Sequence, residues 1–133
     1  MPELPDITLY LDALQELIPG KPLQKLRLFS PFVLRSVEPP ATETEGRRVV
    51  GLQRVGKRIV IGLEDDLFLV LHLMVAGRLR WRKPGAKPPG RIGLAAFDFP
   101  DGTLMFTEAG KKKRAALHVV RGAKTLDELE GGR

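Results

Sequence analysis

The chain contains no cysteine, which excludes disulfides and any cysteine-ligated zinc site built from its own residues. No apolar run reaches the length a membrane-spanning helix needs. No signal peptide is read at the start, and a cytoplasmic location is expected. No segment repeats another. Acidic residues are missing from the whole stretch between Leu67 and Phe97, where Arg78, Arg80, Arg82, Lys83, Lys87 and Arg91 accumulate. That asymmetry predicts a positive face along one side of the molecule. What is present is enough for one folded domain: 133 residues, 43% of them hydrophobic. Lys and Arg number 22 against 16 Asp and Glu, giving a net charge of +6. Such a balance favours a polyanionic partner, nucleic acid first.

Apolar residues at Ile7, Tyr10, Leu11, Leu14, Leu17 and Ile18 follow the spacing of one helix face. Asp6 stands where an N-cap belongs, and Pro19-Gly20 closes the element. Residues 23–29 read as a strand. Residues 30–48 are irregular, because Pro31, Pro39 and Pro40 interrupt any regular run. Strand character returns from Val49 to Leu63 with a bend at Val55-Gly56, and Asp65-Asp66 marks a turn. Leu67–Leu71 is a continuous apolar run suited to a strand buried on both faces. Residues 78–82 alternate and predict a half-buried strand, with Trp81 read as core or packed edge. Lys83 to Gly90 holds three prolines and reads as a flexible loop. Pro100-Asp101-Gly102 is a hairpin turn between strands at 94–99 and 103–107. A last strand covers 115–120, and 125–130 starts a short helix or linker. Many short strands behind one helix predict a mainly β fold, a barrel-like two-sheet sandwich with an N-terminal α-helix.

The opening Met1-Pro2-Glu3-Leu4-Pro5-Asp6 carries a chemical option. If Met1 is removed, Pro2 presents a free secondary amine, and a chain-terminal amine titrates near neutrality, roughly 7.7–8.0. Unprotonated, it attacks an aldehyde-like carbon to form an iminium, with Glu3 beside it to move protons. On these six residues alone, an ordinary extended lead-in to a helix is the better reading.

Four stretches together change that balance. The opening six residues, Arg54-Val55-Gly56-Lys57, His72-Leu73-Met74-Val75-Ala76-Gly77-Arg78-Leu79 and Thr107-Glu108 occur in order and at spacings that resemble the formamidopyrimidine-DNA glycosylase and endonuclease VIII family. The resemblance runs from Met1 to about Arg121. It implies the same sandwich, an enzyme that excises oxidised bases from double-stranded DNA and cuts abasic sites, and a monomer with no small-molecule cofactor. It implies Pro2 as nucleophile, Glu3 as proton carrier and Lys57 as a phosphate clamp near the reactive sugar. A solvated lysine is the ordinary outcome for any Lys57-like residue; the matching position favours the clamp. His72 is either a satisfied strand histidine or a phosphate contact. Asp6 is kept as a cap and given only a secondary role.

Departures from the family pattern fall at the DNA-reading parts. The family's glycosylase branch places a methionine at Val75, and the endonuclease VIII branch uses consecutive residues near Met74 to Ala76, so Met74 and Val75 are both candidate wedges for the gap a flipped base leaves. Core packing is their rival role. Where the family has Asp-Pro-Arg-Arg-Phe-Gly, this chain has Glu108-Ala109-Gly110-Lys111-Lys112-Lys113-Arg114. The arginine and phenylalanine that fill the gap in the family do not align. Lys111, Lys112, Lys113 and Arg114 are expected to hold phosphate with strong salt dependence; a solvated loop is the alternative.

The resemblance places residues 1–124 in the catalytic domain and 125–133 at the start of a linker. It implies that a helix–two-turn–helix element and a zinc finger would lie beyond Arg133, so that this piece alone is expected to bind DNA weakly. With Met1 retained, Pro2 is an amide and the chemistry is expected to be silent. Two other readings remain: a non-catalytic DNA-binding β domain of the same fold, and a basic β domain for RNA or protein. Borohydride trapping on abasic DNA separates the first from the second, and a preference for damaged duplex separates both from the third.

Overall fold

The computed structural model describes residues 4–110, 112–122 and 124–126, with side chains described from Ile7 onward. One helix, α1 (Leu4–Leu17), precedes eight strands: β1 (Lys25–Leu28), β2 (Val49–Val55), β3 (Arg58–Leu63), β4 (Leu67–His72), β5 (Gly77–Arg82), β6 (Gly93–Phe99), β7 (Gly102–Glu108) and β8 (Ala116–Arg121). They form two four-stranded sheets of order β1-β6-β7-β5 and β2-β3-β4-β8, every named pairing antiparallel. The mainly β sandwich expected from the strand count is the fold observed.

Alternation along each strand builds the core. In β3, Ile59, Ile61 and Leu63 face the opposite sheet, and in β4 Leu67, Leu69 and Leu71 do the same. Their partners Val60 and Val70 point outward, yet they too are buried, in a smaller cluster with Val120 and Leu126. This is the two-sided burial that a run with no polar interruption requires. Leu126 closes the cluster from a helical turn over residues 124–126. Helix α1 adds Ile7, Leu14 and Ile18 to the main core and packs on β2 and β3. It begins two residues before the expected cap. Asp6 therefore lies in its first turn and not at the N-cap position. Pro5 does not oppose that start, because a proline in the first turn forfeits no internal hydrogen bond.

The stretch from Val49 to Leu63 folds as a tight hairpin, with Gly56 and Lys57 at its turn, which is sharper than a bend within one strand. Gly56 has φ 63°, the left-handed conformation such a turn demands. The loop at 83–90 is irregular, as its prolines dictate, but it is tied down at several points. Arg27 donates to both oxygens of Asp98 (2.8 and 2.9 Å) and to the carbonyl of Ala86 (2.8 Å). Thr103 Oγ1 donates to Asp98 (2.6 Å) and accepts from the Gly85 N–H (3.0 Å). Ala86 is thereby pressed onto Ala96, Met105 and Phe29. Trp81 is a packed edge, as expected: its ring lies against Phe99, and a Cβ at Gly102 would sit 2.1 Å from it.

A candidate nucleic-acid rim at one end of the sandwich

Strand register decides which loops share an end. Arg58 at the start of β3 pairs with His72 at the end of β4, and His72 pairs with Ala116 at the start of β8. Gly77 at the start of β5 pairs with Glu108 at the end of β7. The β4–β5 turn and the β7–β8 loop connect the two sheets across this same end. Four separated parts of the sequence therefore meet on one rim: the Gly56-Lys57 turn, His72, the turn at 73–76, and the basic loop that follows Glu108. Pro2, Glu3 and Lys111 lie outside the described residues, as does the side chain of Asp6.

Each part is braced. Lys57 is exposed at the hairpin tip, and Arg54 Nη1 donates to the Gly56 carbonyl at 2.8 Å, holding the turn's backbone. His72 is half-buried opposite Arg58. The turn after it is closed by the Gly77 N–H donating to the Leu73 carbonyl at 2.9 Å. Only glycine fits at 77, since a Cβ there would lie 2.2 Å from that same carbonyl oxygen. Within the turn Met74 has φ 60°, a conformation that side-chain-bearing residues seldom adopt. Arg78 Nη1 donates to the carbonyls of Val75 (3.1 Å) and Gly77 (2.8 Å). The outcome for the two wedge candidates differs. Val75 stands 63% exposed, whereas Met74 is half-buried.

Glu108 is the residue that sequence reasoning treated only as a motif match. It is 2% exposed, and its carboxylate accepts from the backbone N–H of Arg114 (2.8 Å) and of Ala115 (3.0 and 3.1 Å). Lys113 Nζ returns a hydrogen bond to the Glu108 carbonyl. The acid is thus spent inside the loop on backbone donors, and Lys112 and Arg114 are left exposed on the rim. An acid at the end of an apolar strand, facing a run of cations, was the available signal; its burial was not readable.

Beside the rim, His118 on the outer face of β8 is half-buried with its Nδ1 lacking a partner. Burial holds its pKa below the usual histidine value, and Arg58 and Arg35 nearby push the same way. No group of three or more His, Cys, Asp or Glu among the described residues could hold a metal. The zinc site that the resemblance implies needs four cysteines, and the chain has none, so no residue here is assigned to it. No helix among the described residues is long and apolar enough to cross a membrane.

Comparison with known proteins agrees with this fold. The crystal structure of a complex between Lactococcus lactis Fpg and DNA containing an abasic site, and the structure of MutM in complex with DNA containing carbocyclic 8-oxo-G, superpose with TM-scores of 0.85 and 0.86. They are 22% and 23% identical, cover 96% and 98% of this chain, and have 47% and 48% of their own length matched. At that identity they show the fold. The formamidopyrimidine-DNA glycosylases of Mycoplasma genitalium (30% identical over 107 residues) and Heliobacterium modesticaldum (33% over 111) each align with 79% of the chain. The chain spans only 38% and 39% of those relatives. Residues 1–115 match the formamidopyrimidine-DNA glycosylase N-terminal domain, and the chain belongs to that family.

Proposed function

We propose that this domain is the catalytic half of a base-excision repair glycosylase with abasic-site lyase activity, acting on oxidised bases in double-stranded DNA. The observation that carries the reading is the convergence on one rim of Lys57, His72, an exposed Val75 and a cationic loop, drawn from four separated segments of a chain that belongs to this family. Phosphates would be held by Lys57, His72, Lys112, Lys113 and Arg114, with Lys111 added from sequence. Val75, with Met74 behind it, would enter the gap left by the flipped nucleotide.

In the proposed chemistry the lone pair of the Pro2 nitrogen attacks C1′ of the damaged nucleotide. The C1′–base bond breaks and the base leaves with a proton. The ring C1′–O4′ bond then opens to give an iminium, and its electron demand acidifies C2′. Glu3 is the group proposed to move protons at the sugar. Loss of a C2′ proton and expulsion of the 3′ phosphate cut the strand, and water releases the amine. No cofactor enters this scheme. The course of helix α1, whose described start is Leu4, supports this reading. Its C-terminal end is tied to the far end of β2 by the Gly20 N–H to the Val49 carbonyl (2.8 Å). Fourteen helical residues rise about 21 Å, close to the length of the seven-residue β2. A helix laid back along β2 would return its start to the Lys57 end. A cytoplasmic setting at the bacterial nucleoid, and action as a monomer, belong to the same reading.

The test is sodium borohydride trapping on a duplex with one abasic site. The processed chain is expected to form a protein–DNA adduct; salt-sensitive binding with no adduct at saturating DNA would leave a non-catalytic binder.

A further inference from the structure

We infer that Phe32 is a nucleobase-stacking residue of the rim, supplying from the turn after β1 the aromatic surface that the basic loop lacks; this rests on the DNA-binding reading above. Of the chain's six phenylalanines, Phe97, Phe99 and Phe106 are buried, Phe68 and Phe29 pack into the two smaller clusters, and Phe32 is 70% exposed. Its exposure is not a consequence of a loose segment. The Phe29 and Ser30 N–H groups both donate to the Leu94 carbonyl (2.9 and 3.2 Å). The Phe32 N–H donates to Ser30 Oγ (3.3 Å), and Arg35 Nε donates to the Phe32 carbonyl (2.6 Å). Next in the chain, Val33 is 1% exposed, and its carbonyl accepts from Leu117 (2.8 Å). An anchored backbone carries a ring that is turned out to solvent.

The same contacts fix where the ring stands. Leu34 bridges Leu117 in parallel, so the chain at Phe32 runs beside the start of β8, where Arg114 emerges. Leu28 pairs with Ala95, which puts the end of β1 at the rim and not at the far end. Arg35, whose Nε donates to the Phe32 carbonyl, and Arg114, two residues before the start of β8 that the Leu34 bridge places beside Phe32, are both exposed. An aromatic face with cations nearby is the pattern that binds an unstacked base, because cations hold the phosphates while the ring takes the base. A fully paired duplex offers no free base face. The occupant is therefore an unpaired or displaced base of DNA at the damaged site.

The experiment is an anisotropy titration of the chain and its Phe32→Ala and Phe32→Trp variants. Two labelled duplexes are used, one fully paired and one with a single unpaired thymine, each across a salt series. Phe32→Ala is expected to weaken binding to the bulged duplex roughly 5- to 150-fold. Its affinity for the paired duplex and both salt slopes should stay unchanged, and Phe32→Trp should restore affinity. Equal binding of wild type and Phe32→Ala to the bulged duplex, or equal losses on both duplexes, overturns the inference while salt-dependent wild-type binding leaves the functional reading standing. No salt-dependent binding by the wild type would remove both.

Discussion

The two ends of the sandwich handle charge differently. At the end away from the rim, acids and bases are matched: Lys21 with Asp101, Arg47 with Asp65, and Arg121 with Glu43. Glu64, Asp65 and Asp66 occupy the β3–β4 turn there. At the rim, Lys57, Lys112 and Arg114 are exposed, and Glu108, the one buried acid among the described residues, is committed to backbone N–H groups. The far end mixes paired and acidic groups with exposed cations such as Arg82 and Lys83, whereas the exposed charge described at the rim is positive. Exposed ion pairs contribute little to stability, so the contrast lies in where unmatched charge is left.

Removing Glu108 should have the largest effect on that contrast. Glu108→Ala strands the buried Ala115 N–H and frees the loop from its anchor; a loss of roughly 2–4 kcal/mol follows from unpaired buried donors. Thermal melting should show it, with Glu108→Gln recovering part because one acceptor oxygen remains. Two glycine substitutions come next, one at each end. Gly77→Ala drives a Cβ into the Leu73 carbonyl, and Gly102→Ala drives one into the Trp81 ring. Each should cost about 1–3 kcal/mol. Only Gly77→Ala, which opens the turn carrying Met74 and Val75, should also weaken DNA binding when measured well below its melting point.

Charge removal is a finer probe. Replacing Lys112 or Arg114 by Ala should lower the slope of log affinity against log salt by about 1 each, while Lys21→Ala at the far end should leave it unchanged. Equal slopes for all three would erase the distinction between the ends. The smallest effect is that of His118. Burial, then Arg58 and Arg35, depress its folded pKa below the ordinary value of 6.5. The unfolded chain therefore binds the proton more readily. His118 contributes stability above about pH 6.5, and the contribution is lost as pH falls toward the depressed folded value. Urea melts from pH 7.5 to 5 should show that slope in the wild type and a flatter one in His118→Asn.

Much of this architecture was legible because periodicity reports burial directly. Strand β5 alternates, and its arginines are exposed while Leu79 is buried; β4 does not alternate, and both its faces are covered. What escaped depended on partners distant in sequence. Asp98 and Thr103 pin the loop at 83–90, which its prolines alone describe as loose. The cap assigned to Asp6 failed because the backbone helix already begins at Leu4, ahead of Ile7, the first residue of the spacing that was used to place its start. Motif order singled out Lys57, His72, Met74 and Val75 as candidates, but that they share one end of the sandwich follows only from strand register. The burial of Glu108 and the exposure of Phe32 were not written in any pattern: one is set by the backbone the carboxylate holds, the other by the packing the ring lacks.

The central claim concerns the nitrogen of Pro2, and the most direct measurement compares two forms of the protein that differ only in Met1. Each is trapped with borohydride on abasic duplex, resolved by intact mass and mapped by peptide sequencing. The account predicts an adduct on Pro2 in the form lacking Met1 and none in the form retaining it; equal trapping in both forms, or attachment at a lysine, would contradict it.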